Sequence, residues 1–244
     1  MNKEASRNMG RFEAVFFDLD DTMYDSLSPF RKAALAVLAL PADFPLETAY
    51  RRVRYHSDRL WEIYAEGHME LEEMRVQRVM LAFAEFDLAV TREQSAAVQA
   101  RYIEEQGRIE LSDGVLEAIA LVREAGLGLG MVTNGPVEHQ MAKIRALGLD
   151  RIVAADRIFI SDGVGIAKPD PRIFEHVSDV TGHAPEVCLY IGDSWRNDIA
   201  GAMEAGWRSV WLNRRGAAPD TDHAPHAEIR DIRELSALLK TWLY

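Results

Sequence analysis

Apolar positions along this chain follow two rhythms. Short continuous runs form the first: Ala14 to Phe17 (AVFF), Leu127 to Val132 (LGLGMV), Arg157 to Ile160 (RIFI), Val187 to Ile191 (VCLYI) and Ser209 to Leu212 (SVWL). Unbroken apolarity over so few residues predicts strands buried on both faces, as in a parallel sheet. Helical patterning forms the second, over Val115 to Glu124, Val137 to Leu147, Arg172 to Thr181 and Ile199 to Ala205. Pro136 and Pro171 open two of these segments, and Gly126, Gly148, Gly182 and Gly206 close all of them, which is the expected punctuation of helix ends. Alternating strands and helices with short links predict βαβ units, hence an α/β core of three layers around a mostly parallel sheet. Gly216 to Pro225 (GAAPDTDHAP) reads as a flexible surface loop and Glu234 to Trp242 as a closing helix.

The alternation breaks once. From about Ser28 to Gln106 the pattern is helical throughout, with Leu46, Tyr50, Val53, Leu60 and Tyr64 on one spacing and Val79, Phe83 and Phe86 on another. Pro41, Pro45, Gly67 and Thr91 mark the joints. The expected organisation is a core of residues 1–25 and 108–244 with an all-helical insertion, 26–107, placed just after the first strand.

Composition narrows the function classes. With 39 acidic and 28 basic residues among 244, the net charge is −11, which argues against binding a nucleic acid polymer or an anionic membrane. A local pocket can still oppose that field, so small phosphorylated molecules stay in play. The single cysteine, Cys188, has no internal disulfide partner. Met1 to Arg11 is polar, and the longest apolar run, Ala33 to Leu40, is too short to span a bilayer. A cytoplasmic protein is expected, and a monomer, since no interface pattern stands out.

Polar residues cluster where the predicted strands end. Asp18 and Asp20 follow the first, Thr133 and Asn134 the second, and Asp193 and Asp198 the fourth; Lys168 lies in the loop after the third. Ligands of open α/β sheets bind at that rim. Each residue taken singly reads as a turn former or helix cap. Together they make a more specific set. Clustered carboxylates repel unless a cation neutralises them, and hard oxygen ligands suit Mg²⁺. A lysine, a hydroxyl and an amide suit a phosphoryl group. One carboxylate can attack as a nucleophile while another, two residues on and facing the same side, transfers protons.

These residues resemble the haloacid dehalogenase superfamily of hydrolases, in four motifs and in order. Asp18-Leu-Asp-Asp-Thr22 looks like the first motif, Thr133-Asn134 like the second, Lys168 in Ala-Lys-Pro-Asp-Pro like the third, and Gly192-Asp193-Ser194-Trp-Arg-Asn-Asp198 like the fourth. The resemblance spans essentially the whole chain. It implies a Rossmann-like catalytic core with a helical cap after the first motif, and an enzyme using Mg²⁺ on a small phosphorylated metabolite. Asp18 would be nucleophile and metal ligand. Asp20 would be acid and base, with its backbone carbonyl on the metal, and Asp193 would be the remaining protein ligand. Thr133, Asn134, Gly135 and Lys168 would hold the phosphoryl group, with Thr22, Ser194 and Asp198 in support. Family members that cleave carbon–halogen bonds lack the second aspartate of the first motif, so Asp20 favours a phosphatase. Phosphomutases keep both aspartates, and a non-catalytic regulator is the reading from a different class.

A finer similarity points to the subgroup of pyrimidine 5′-nucleotidases and N-acylneuraminate-9-phosphatases. The likeness to the nucleotidases rests on Leu60-Trp61-x-x-Tyr64-x-x-Gly67 with Gly165-x-Ala167-Lys-Pro, and Thr133-Asn134-Gly135 and Trp211-Leu212-Asn213 are shared with both groups. Trp61, Tyr64, Gly67 and His68 would then tune substrate selectivity, with nucleoside 5′-monophosphates as one substrate class. At helical spacing, Trp61 and Tyr64 equally suit the core of the cap.

Overall fold

A computed structural model describes residues 11–243, the side chain of Glu62 excepted. The polar stretch Met1 to Gly10 lies outside the described residues. The chain divides into two compact units: Ser26–Ile109, and the remainder, which runs up to Asp25 and resumes at Glu110.

The first strand, β1 (Ala14–Phe17), is buried at every position. The chain then leaves for the helical unit, built from α1 (Leu27–Val37), α2 (Leu46–Ala65), α3 (Leu71–Ala84) and α4 (Arg92–Gln106). Its core gathers Phe30, Tyr50, Val53, Val79, Phe83, Val98 and Tyr102 from all four helices. Thr91 caps α4 by accepting from the Gln94 backbone N–H, while the Gln94 side chain accepts from the Thr91 N–H. This reciprocal cap satisfies two backbone donors that the helix itself leaves open. Trp61 and Tyr64 are half-buried on α2, with ring centroids 5.1 Å apart. Gly67, at φ +76°, closes the last turn through its N–H to Tyr64 O, and exposed His68 faces Glu66.

The rest of the chain wraps helices around both faces of one sheet. In order come α5 (Val115–Glu124), β2 (Gly128–Thr133), α6 (Val137–Ala146), β3 (Ile158–Ile160), α7 (Ser161–Val164), α8 (Arg172–Thr181), β4 (Cys188–Gly192), α9 (Gly201–Glu204), β5 (Arg208–Leu212), β6 (Ala227–Ile229) and α10 (Arg233–Leu243). The six strands lie in the order β3-β2-β1-β4-β5-β6, and every described pairing is parallel. The expected α/β architecture is therefore present, with β1 in the middle.

Alternation along β1 feeds both layers. Ala14 and Phe16 join Phe174, Val177, Tyr190 and Trp207 in one buried cluster under α8. Gly130 in β2 makes room for that packing: a Cβ there would lie 2.3 Å from the Phe16 ring.

Three local features depart from the sequence reading. The helix expected over Ile199 to Ala205 begins earlier, as a π-type turn over Trp195–Ala200 that runs into α9. β6 was not expected; three residues with only one fully buried carry too little apolar signal. The segment read as a flexible loop is held by side chains. Asn213 exchanges hydrogen bonds with the Ala217 backbone, and Trp195 Nε1 donates to Thr221 Oγ1. Among the described residues, no helix is long and apolar enough to cross a membrane.

Candidate active site

β1 delivers Asp18 straight to the rim of the sheet, where its backbone N–H donates to Ile191 O. The Asp18 carboxylate is buried. It accepts from Lys168 Nζ at 2.7 Å and from Thr22 Oγ1 at 3.3 Å. Lys168 Nζ also lies 2.6 Å from Asp198 Oδ1 and donates to the Tyr190 hydroxyl, which itself donates to Val132 O. The lysine thus holds two carboxylates, one at the end of β1 and one in the turn that follows β4. Burial pushes the Asp18 pKa up to about 6, with further upward pushes from Asp198 and Asp20, while Lys168 pulls it down. Burial opposes the charge on Lys168, but Asp18 and Asp198 outweigh it and hold the ammonium above its ordinary value.

Other predicted residues build the frame around this pair. The Asn134 side chain clamps the Lys168 backbone in both directions, donating to Lys168 O and accepting from Lys168 N. Gly135 N donates to buried Ser161 Oγ. Asp198 Oδ2 accepts from Ser194 N, and Ser194 Oγ caps the π-type turn by accepting from Asn197 N. Asp198 comes so close to β4 that a Cβ on Gly192 would lie 2.4 Å from its carboxyl carbon. Asp193 O accepts from Trp211 Nε1, and Trp195 packs edge-on against Trp211, which makes it a packing residue of the core.

Asp18, Asp193 and Asp198 each offer a carboxylate oxygen, and these oxygens lie within 4.8 Å of one another. A set made of oxygen alone, with three carboxylates against one ammonium, fits a hard divalent cation and not a soft one. The Asp20 side chain is not in that set. Its carboxylate accepts from Lys143 Nζ at 2.6 and 2.7 Å, from Gln140 Nε2 at 3.1 Å and from the Tyr24 hydroxyl.

Sequence reasoning missed Gln140, Lys143 and Tyr190. The first two look like ordinary polar positions of a helix, and Tyr190 looks like one more apolar residue of a buried strand. The only signal was the spacing of Gln140 and Lys143, which puts both on one helix face. The four cap candidates, Trp61, Tyr64, Gly67 and His68, belong to the helical unit.

A parallel sheet with this acidic, lysine-bearing rim and a helical insertion after its first strand is a Rossmann-like core of the kind that carries hydrolases. The chain belongs to the haloacid dehalogenase-like hydrolase family, whose model matches residues 12–206. It is 30% identical to the phosphoserine phosphatase of Thermus thermophilus, covering 91% of this chain and 96% of that one. It is 27% identical to the N-acylneuraminate-9-phosphatase of Mus musculus, with 96% of each chain covered. Among solved structures, the magnesium-bound HAD hydrolase YfnB of Bacillus subtilis superposes with a TM-score of 0.71 at 26% identity, covering 94% of this chain and 99% of that one.

Proposed function

We propose that the protein is a Mg²⁺-dependent phosphomonoester hydrolase that acts on a small phosphorylated metabolite through an aspartyl-phosphate. The observation that carries this reading is the Asp18 carboxylate held against Lys168 at the end of β1, with Asp20 two residues further on. Asp18, whose carboxylate is paired with the Lys168 ammonium, serves as nucleophile. Its oxygen attacks phosphorus while the ester oxygen leaves with a proton from Asp20. Asp20 then takes a proton from water, which hydrolyses the aspartyl-phosphate and frees Asp18. Lys168 and the Thr133 hydroxyl hold the phosphoryl oxygens.

Asp18, Asp193 and the Asp20 backbone carbonyl would hold Mg²⁺, with Asp198 supporting. Bound there, the ion would draw charge off the phosphoryl group and ease the approach of anionic Asp18. Trp61, Tyr64, Gly67 and His68 would select the substrate, and a nucleoside 5′-monophosphate offers a base for the aromatic pair to stack on. The similarity to enzymes named phosphatases supports this reading over carbon–halogen cleavage, as does Asp20, since only an alkoxide leaving group needs an acid.

Phosphate release from a panel of nucleotides, sugar phosphates and phosphoserine tests the proposal. Mg²⁺-dependent release that disappears on EDTA treatment and in Asp18→Asn is the expected result. Release that survives either change overturns the mechanism. Isomerised phosphosugar without free phosphate would make the protein a mutase.

A further inference from the structure

One face of α6 carries two buried polar side chains that the reaction scheme above does not use. Gln140 is 1% exposed and Lys143 4% exposed, three residues apart on the same helix. A buried charge is costly unless it is paired and hydrogen-bonded. Lys143 meets that requirement on Asp20, with one contact to each carboxylate oxygen. Gln140 Nε2 spends its two hydrogens on two different residues, Asp20 Oδ2 at 3.1 Å and Thr133 Oγ1 at 2.5 Å.

The second of these bonds has a direction. Because the amide donates into Thr133 Oγ1, the threonine's own hydrogen is left to point elsewhere, and a phosphoryl oxygen is an acceptor suited to it. The first bond, together with the Lys143 ion pair and the Tyr24 hydroxyl, fixes where the Asp20 carboxylate lies. Gly135 leaves the space for this arrangement. A Cβ there would lie 3.2 Å from the Gln140 side chain, and the backbone stands at φ +137°, where a side chain is strained.

We propose that Gln140 and Lys143 are positioning residues of the reaction, Lys143 aiming the proton-transfer group Asp20 and Gln140 orienting the Thr133 hydroxyl toward the phosphoryl group. This rests on the phosphatase reading. A buried ion pair with a purely structural role would affect stability and leave the balance between substrates unchanged. A positioning role changes that balance, because a misplaced acid matters only when the leaving group needs a proton.

The experiment compares Lys143→Met, Lys143→Arg and Gln140→Leu with the wild type, using p-nitrophenyl phosphate and an alkyl phosphate. Thermal unfolding is followed alongside. Lys143→Met is expected to lose at least about tenfold more kcat/KM on the alkyl ester than on the aryl ester, and Lys143→Arg to restore most of the wild-type ratio. Gln140→Leu is expected to weaken inhibition by inorganic phosphate about tenfold, the loss of one charge-assisted hydrogen bond. Should Lys143→Met fail to fold, Lys143→Gln keeps a polar tip at that depth and carries the same expectation. Folded variants with the wild-type ester ratio and wild-type phosphate inhibition would overturn the inference while leaving the phosphatase standing. A wild type that hydrolyses no ester would bring down the function itself, and both roles with it.

Discussion

Lys168 Nζ stands 2.7 Å from Asp18 Oδ1, joining residues 150 positions apart in the chain. The same nitrogen reaches Asp198 at 2.6 Å, so one ammonium stands between two buried carboxylates. Removing it leaves both charges facing each other at a site shielded from water. Lys168→Met is therefore expected to cost roughly 3–5 kcal/mol of stability, the range for breaking a buried pair from one side. Urea unfolding measures this. A variant as stable as the wild type would mean that the two carboxylates are neutral in the folded protein.

Metal should bind where the three carboxylates converge. At a concentration a hundredfold above its dissociation constant, Mg²⁺ stabilises by about 2.7 kcal/mol, which for a protein of this size raises the unfolding midpoint by roughly 5–10 °C. Asp193→Asn removes one oxygen charge from the set and should shrink that shift. An equal shift in wild type and variant, read by calorimetry with and without EDTA, would place the ion elsewhere.

Two glycines test how tightly the rim is packed. A Cβ on Gly201 would lie 2.6 Å from the carbonyl oxygen of Pro169, the residue after Lys168. A Cβ on Gly192 would run into the Asp198 carboxyl group. Gly201→Ala and Gly192→Ala are each expected to lose about 1–3 kcal/mol, the usual cost of overpacking. Both should also lower kcat, because the displaced atoms belong to the residues that carry Lys168 and Asp198. Full activity in either alanine variant would show that the loop relaxes freely.

His226 gives a pH dependence with a definite sign. Burial first, and then Arg208, hold its pKa below the ordinary 6.5, and its Nδ1 accepts from the Ser209 N–H. The unfolded chain therefore takes up a proton more readily than the folded one. Stability from this residue is complete above pH 6.5 and is lost as pH falls from there toward the lower folded value. His226→Asn keeps an acceptor near the Nδ1 position and does not titrate. The midpoint of urea unfolding should fall less steeply in this variant between pH 7 and pH 5, and identical slopes would remove the histidine from the account.

Much of the frame was legible because local chemistry dictates it. The run AVFF has no polar face to turn outward, so it becomes a strand covered on both sides, and the aspartates that follow must emerge at its end. Glycine and proline punctuation set the helices from Val115 to Glu124 and from Arg172 to Thr181 at the expected bounds. The π-type turn at Trp195 and the short strand at Ala227 were not legible. One depends on Asp198 being drawn toward Ser194 N and Lys168, the other on a sheet edge that β5 presents.

The order of residues by itself determined which side chains arrive at the rim: Asp18, Asp20, Thr133 and Asp193 sit at or just beyond a strand end, Lys168 and Asp198 lie in the segments that follow β3 and β4, and strand ends follow from local apolar runs. Only the tertiary structure decided what each of them touches. That Asn134 grips the Lys168 backbone, that Tyr190 turns its hydroxyl to Lys168, and that Asp20 answers to Lys143 on α6 all depend on contacts between segments far apart in sequence. The physical reason is that strand and helix formation is driven by neighbours along the chain. A buried polar group is instead satisfied by whatever partner the packing of the whole core brings within about 3 Å of it.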